Sequence, residues 1–165
     1  MTVSPVVRTA LFVRDLERST RFWRALGFHG AYFEGDLDPA SVSATLRLPE
    51  GATCRCRILK RDHDDPNFGM VGLFEIGGAP LDHIARHHTS PHIGEAALVL
   101  YTDDLDASVA AARTHEALDV WEPVLFTMPH RSQRECCLRD PDGVLINLVE
   151  RDPSEANKKE PVTAG

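Results

Sequence analysis

Residues 6–13 (VVRTALFV) form a β-branched, apolar run that predicts a strand. Asp15 follows. Leu16, Thr20, Trp23 and Leu26 then recur at i, i+4, i+7 and i+10, the stripe of an amphipathic helix. Asp15 is placed to cap that helix and Gly27 to end it in the left-handed region. Residues 28–34 read as a second strand. The polar, proline-containing stretch 35–50 predicts a short helical turn around Ser41–Leu46. CRCRILKR at 54–61 alternates apolar with basic residues, the pattern of a half-exposed strand. GMVGLFEI at 69–76 is a fourth strand, closed by Gly-Gly-Ala-Pro.

The same order then recurs. AALVLYT at 96–102 predicts a strand, and Asp104 caps a helix from Leu105 that buries Val109 and Ala112. Strands are expected at 119–127, 132–139 and 144–150, the last two joined by Asp140-Pro141-Asp142-Gly143. Proline presets φ in that turn and glycine supplies positive φ. LFVRDLERS (11–19) and LYTDDLDAS (100–108) match at Leu, Asp, Leu and Ser with an offset of 89 residues. This internal repeat predicts an α+β fold of two βαβββ modules, 5–78 and 94–151, within one domain spanning 5–151. Paired, the modules are expected to form a curved mixed sheet with a concave cleft, where a small molecule is expected to sit. Residues 152–165 are polar and aperiodic and are expected to be a mobile tail.

Composition narrows the function classes. Of 165 residues, 42% are apolar and 26% charged, so the chain folds without needing a staple. Eighteen Lys and Arg against twenty-five Asp and Glu leave a net charge of −7. That excludes a basic footprint for nucleic acid or an anionic membrane and mildly favours cationic or neutral ligands. No apolar run is long enough to span a membrane and no signal peptide is evident, so a cytoplasmic protein is expected. Cys54 and Cys56 share one strand face, while Cys136 and Cys137 point to opposite faces. Neither pair has zinc-knuckle spacing, and small buried thiols are expected. His83, His87, His88 and His92 lie in the connector between modules. His83 and His87 have i, i+4 spacing, but no third ligand is evident.

The Asp-Leu-Glu-Arg-Ser helix start with Phe22-Trp23 and Leu26-Gly27-Phe28, the second Asp103-Asp104-Leu105, and the Asp140–Gly143 turn resemble the vicinal oxygen chelate superfamily. That superfamily includes glyoxalases, bleomycin-resistance proteins and extradiol dioxygenases. Its metal-dependent members carry a histidine seven residues before the first helix-start Asp, where this chain has Arg8. The matching place in the second module is Ala97. The carboxylate four residues after the final turn glycine is here Asn147. The carboxylate on the last strand of the first module has Glu75 as counterpart, with Phe74 as competitor if the register shifts by one. Arg and Ala offer a cation no lone pair, so the resemblance implies a lost metal site and no cofactor. An Arg8–Glu75 ion pair is expected in its place.

Alternation puts Phe12 and Val99 on the cleft faces of Arg8 and Ala97, with Tyr101 as a cleft-side donor or space filler. Trp121 and Phe126 are expected to close one end. The ligand-binding set is therefore Arg8, Phe12, Glu75, Val99, Tyr101 and Asn147. The first expectation is a metal-independent homodimer that binds a small organic molecule, as the antibiotic-sequestering members do. The second is an enzyme of lyase, isomerase or dioxygenase type. It would be metal-free with Arg8 holding an oxyanion and Glu75 as general base, or metal-dependent under a different register. A third reading has the cleft filled by side chains and the protein acting only through partners.

Overall fold

The computed structural model describes residues 3–82, 90–129 and 131–157. The chain forms two compact units, Met1–Thr89 and Ser90–Gly165. The first contains β1 (Arg8–Phe12), α1 (Leu16–Ala25), β2 (Gly30–Leu37), α2 (Pro39–Leu46), β3 (Thr53–Lys60) and β4 (Met70–Gly77). Its sheet has the order β1-β4-β3-β2, with β1 parallel to β4 and the other pairs antiparallel. The second contains β5 (Ala97–Thr102), α3 (Leu105–Thr114), β6 (Asp119–Val120), β7 (Val124–Met128), β8 (Arg131–Arg139) and β9 (Leu145–Glu150). Its order is β5-β9-β8-β6, with β7 also on β8 and β5 parallel to β9. Both are open mixed sheets, and the fold is α+β. No helix among the described residues is long and apolar enough to cross a membrane.

The helix ends follow from local chemistry. The Asp15 carboxylate accepts from the Arg18 N–H at 2.9 Å, and Asp104 accepts from the Ala107 N–H at 2.8 Å. Past α1, Gly27 takes φ +97° and donates to the Arg24 carbonyl. Phe28 donates to the Trp23 carbonyl, while the two rings meet edge to face at 5.4 Å. This is the Schellman termination with its apolar contact. The second copy repeats it with Glu116 at φ +65° and Ala117 donating to Ala112, so the 89-residue offset persists through both helix ends.

Several boundaries differ from expectation. The strand expected over 119–127 is split into β6 and β7, because Pro123 has no N–H to donate to the ladder. α2 starts earlier, since Asp38 caps it through the Ser41 N–H and Pro39 suits the first turn. The second strand begins at Gly30 and runs on to Leu37. The segment expected as a tail begins with a 3-10 turn at Pro153–Asn157, beside an Arg151–Glu155 ion pair. Residues 158–165 lie outside the described residues.

In the first unit, α1 lays Leu16, Ser19, Thr20, Phe22 and Trp23 against β3 and β4. In the second, Leu105, Val109 and Ala112 of α3 are buried, as are Cys136, Leu138, Ile146 and Leu148 of β8 and β9. Each sheet therefore has a helix face and a far face, and outside the irregularity between Ala31 and Phe33 of β2 alternation assigns strand residues to one of them.

Candidate functional site

On β1, Leu11 is buried on the helix face, so Arg8, Ala10 and Phe12 occupy the far face. The pairing of Leu11 with Leu73 and Phe12 with Phe74 carries this assignment into β4. Phe74 is therefore on the far face and Glu75 on the helix face. The Glu75 carboxylate accepts from the Leu16 N–H at 2.7 Å, at the start of α1, and meets the Arg55 guanidinium at 3.2 Å. This corrects two expectations. Arg8 and Glu75 project to opposite sides of the sheet and form no pair, and Glu75 is no cleft-side base. The alternative register, with Phe74 in that place, is the one adopted. The physical reason is the free N–H groups of the first helical turn, which attract a carboxylate from the adjacent strand end.

The second unit repeats the device. Glu150, at the end of β9, accepts from the Leu105 N–H at 3.4 Å and meets Arg134 at 3.2 Å. Arg134 also binds Asp106, just as Arg55 reaches Glu17. A carboxylate repeated at corresponding helix starts is an architectural feature of the module. Glu75→Ala is expected to lower stability by about 1–2 kcal/mol, from one lost helix-start acceptor and one half-exposed ion pair. Urea unfolding checks this.

Arg8 makes no hydrogen bond or ion pair among the described residues. Its Cδ lies 3.5 Å from where a Cβ on Gly72 would stand, and the Phe74 ring lies 2.8 Å from that point. Gly72 thus provides the space that lets Phe74 fold across the far face, 6.0 Å from the Phe12 ring. Cys56, Ile58 and Met70 are buried beneath this layer with Phe74 and Leu37 packed on them. The first module's far face is a small apolar core edged by Arg8 and Phe12.

The second module's far face is different. It carries Ala97, Val99 and Tyr101 on β5, Asn147 and Val149 on β9, Gln133, Glu135 and Cys137 on β8, and Val124 and Phe126 on β7. Glu135 is half-buried, and each of its oxygens accepts from a primary amide. Gln133 Nε2 is at 2.7 Å from Oε1 and Asn147 Nδ2 at 2.9 Å from Oε2. Asn147 Oδ1 lies 3.7 Å from Cys137 Sγ. Glu135 has no cationic partner among the described residues. Around this polar row Val99 is 59% exposed and Phe126 48% exposed. The Tyr101 hydroxyl accepts from Arg151 at 3.3 Å, and the guanidinium sits 5.1 Å from the ring centroid. Arg151 is itself paired with Glu155.

Of the residues expected to bind ligand, the structure brings Val99, Tyr101 and Asn147 onto this face and puts Arg8 and Phe12 on the first module's far face. Glu135 and Gln133 were missed. Their signal was present in SQRECCLR, where Cys136 and Leu138 take the apolar phase and leave 133, 135 and 137 on the other. Only the strand register shows that Asn147 reaches Glu135. Trp121 bonds Asp119 through its indole N–H at 3.0 Å, whereas Phe126 lies open on β7.

The residues at the superfamily's ligand positions are thus Arg8 and Phe74 in one module and Ala97 and Asn147 in the other. A guanidinium, a phenyl ring, a methyl group and an engaged amide do not fit a divalent cation. His83, His87 and His88 lie outside the described residues, and the His92 ring is 3.6 Å from the Glu95 carboxylate. The four cysteines are free thiols, three of them buried. Burial pushes Cys56 and Cys136 up to about 11, and Cys54 and Cys137 in the same direction, so they stay protonated and poorly nucleophilic.

Comparison with known families places this geometry in context. The family described as Glyoxalase/Bleomycin resistance protein/Dioxygenase superfamily matches residues 6–148. No curated protein matches the chain in sequence. Among solved structures, a glyoxalase family protein from Bacillus cereus is similar at 18% identity with a TM-score of 0.72, over 90% of this chain and 95% of that one. The fosfomycin resistance protein FosX from Mesorhizobium loti is similar at 16% identity and a TM-score of 0.53, over 94% and 95%. A glyoxalase I mutant from Zea mays is similar at 16% identity and 0.57, over 89% of this chain and 44% of that one. At these identities the likeness is one of fold.

Proposed function

Because the chain belongs to the Glyoxalase/Bleomycin resistance protein/Dioxygenase superfamily, we propose that it binds a small organic molecule on the far face of its second module without a divalent metal. The observation that carries this reading is the row Gln133–Glu135–Asn147, fixed by two hydrogen bonds and bordered by the exposed Val99 and Phe126. Fixed polar groups set in apolar surroundings are what a small-molecule site requires. The residues at the superfamily's metal positions support metal independence through their chemistry.

The proposal extends to the whole region 5–151 acting as one glyoxalase-like domain, in a cytoplasmic homodimer. Sedimentation gives the oligomer mass. Metal-free proton transfer by Glu75 beside Arg8 is not part of the proposal, since those side chains lie on opposite faces of their sheet.

Two measurements test it. Untagged protein from metal-replete growth is expected to hold less than about a tenth of an equivalent of any transition metal, because the described residues contain no preformed donor set. Elemental analysis giving close to one equivalent of Zn, Ni, Mn or Fe would overturn metal independence. Small organic probes that shift amide resonances at 99, 126, 135 and 147 would support the site. Probes that leave those resonances unmoved would remove it.

A further inference from the structure

The environment of Glu135 names a ligand class, and this step rests on the far face of the second module being the binding surface. Both Glu135 oxygens are occupied on one side by neutral amide donors, which orient the carboxylate and leave its charge uncancelled. No cation pairs with it among the described residues. The other charged residues on this face are Arg131, Arg139, Asp119 and Arg151, and each has a partner of its own. Arg139 is buried against Glu95, Asp119 accepts from the Trp121 indole, and Arg151 is held by Glu155 and the Tyr101 ring. Gln133 and Asn147 are amides and add dipoles without net charge.

Neighbours in the strand register complete the picture. Glu135 lies opposite Val124 on β7 and Val149 on β9, and Phe126 is opposite Gln133. Val124 and Phe126 are exposed. A half-buried carboxylate among apolar side chains pays part of its desolvation cost in the empty state, which a bound cation would offset. Val149 is buried, so the exposed apolar surface that suits the body carrying that cation is Val124 and Phe126 on one side and Val99 on the other. We propose that Glu135 is the anionic anchor for a small organic cation, a protonated amine on an apolar or aromatic body, held by a charge-assisted hydrogen bond to the carboxylate. Asn147 and Gln133 are positioning residues. They fix the carboxylate so that little side-chain freedom is lost on binding.

The test is a fragment set of aryl-methylamines, the matching alcohols and the matching carboxylates, screened on the full chain by two-dimensional amide spectra at low and at physiological salt. The amines are expected to shift 99, 126, 135 and 147 and to weaken as salt rises. The carboxylates are expected to leave this face unmoved. Glu135→Gln, which keeps shape and removes charge, should weaken the amines by at least about tenfold and leave the alcohols within about twofold. Glu135→Asp should retain part of the amine preference. The wild-type charge preference is read without any variant, so a Glu135→Gln protein that failed to fold would leave the test intact. Fragments that bind this face irrespective of charge, or amines that bind Glu135→Gln as well as wild type, would overturn the inference and leave the binding site standing. Failure of all three classes to bind this face would remove the site and the inference together.

Discussion

Replacing Arg139 with alanine is expected to destabilise the second module by about 3–5 kcal/mol, the cost of stripping one partner from a buried ion pair. The Arg139 side chain is 0% exposed and that of Glu95 is 7% exposed. The guanidinium donates to Glu95 at 2.6 and 3.3 Å and to the Gly143 carbonyl at 2.9 Å. It thereby ties the segment entering β5 to the Asp140–Gly143 turn. Alanine leaves the Glu95 carboxylate dry and without its principal counter-charge, and adds a cavity. Arg134→Ala is the control. That side chain is 41% exposed, and its loss should cost far less because water replaces its partners. Urea midpoints of the two variants measure the contrast. Adding Glu95→Leu to an Arg139→Leu variant should recover about half of the loss, since removing both charges avoids the uncompensated one. Equal midpoints for Arg139→Ala and Arg134→Ala would show that burial does not decide the cost here.

Trp23→Ala is expected to cost about 3–5 kcal/mol in the first module. The Trp23 indole is fully buried, and it meets Phe22 at 5.8 Å and Phe28 at 5.4 Å with nearly perpendicular rings. Its effect is doubled in kind. Besides opening a cavity, the change removes the apolar contact that accompanies the Schellman end of α1. Urea unfolding should show the loss, and the near-ultraviolet circular dichroism of the aromatic cluster should collapse at lower denaturant. A loss below about 1 kcal/mol would mean that the site collapses around the gap, against the close packing found here.

The repeat was legible because a βαβββ module writes its start in local chemistry. An aspartate cap, an apolar stripe and a helix-ending residue recur at one spacing, and none of these depends on distant contacts. The same locality explains the turn at Asp140–Gly143. Boundaries failed where one residue acts through the ladder, as Pro123 does in dividing β6 from β7. The site was legible only in part. Val99, Tyr101 and Asn147 reach the far face by simple alternation. Glu75 did not, because the strand's phase was open by one residue and a single slip exchanges the two faces.

By itself the sequence determined the α+β architecture, its doubled module and which residues stand at positions 8, 97 and 147, since these follow from residue identity and short-range periodicity. The tertiary structure alone decided which face Glu75 takes and which side chains meet across strands. Free N–H groups at the start of α1 draw Glu75 to the helix face, and the β8–β9 register carries Asn147 to Glu135. Both are long-range pairings, set by where a donor stands after the sheet has formed. No local pattern contains that information.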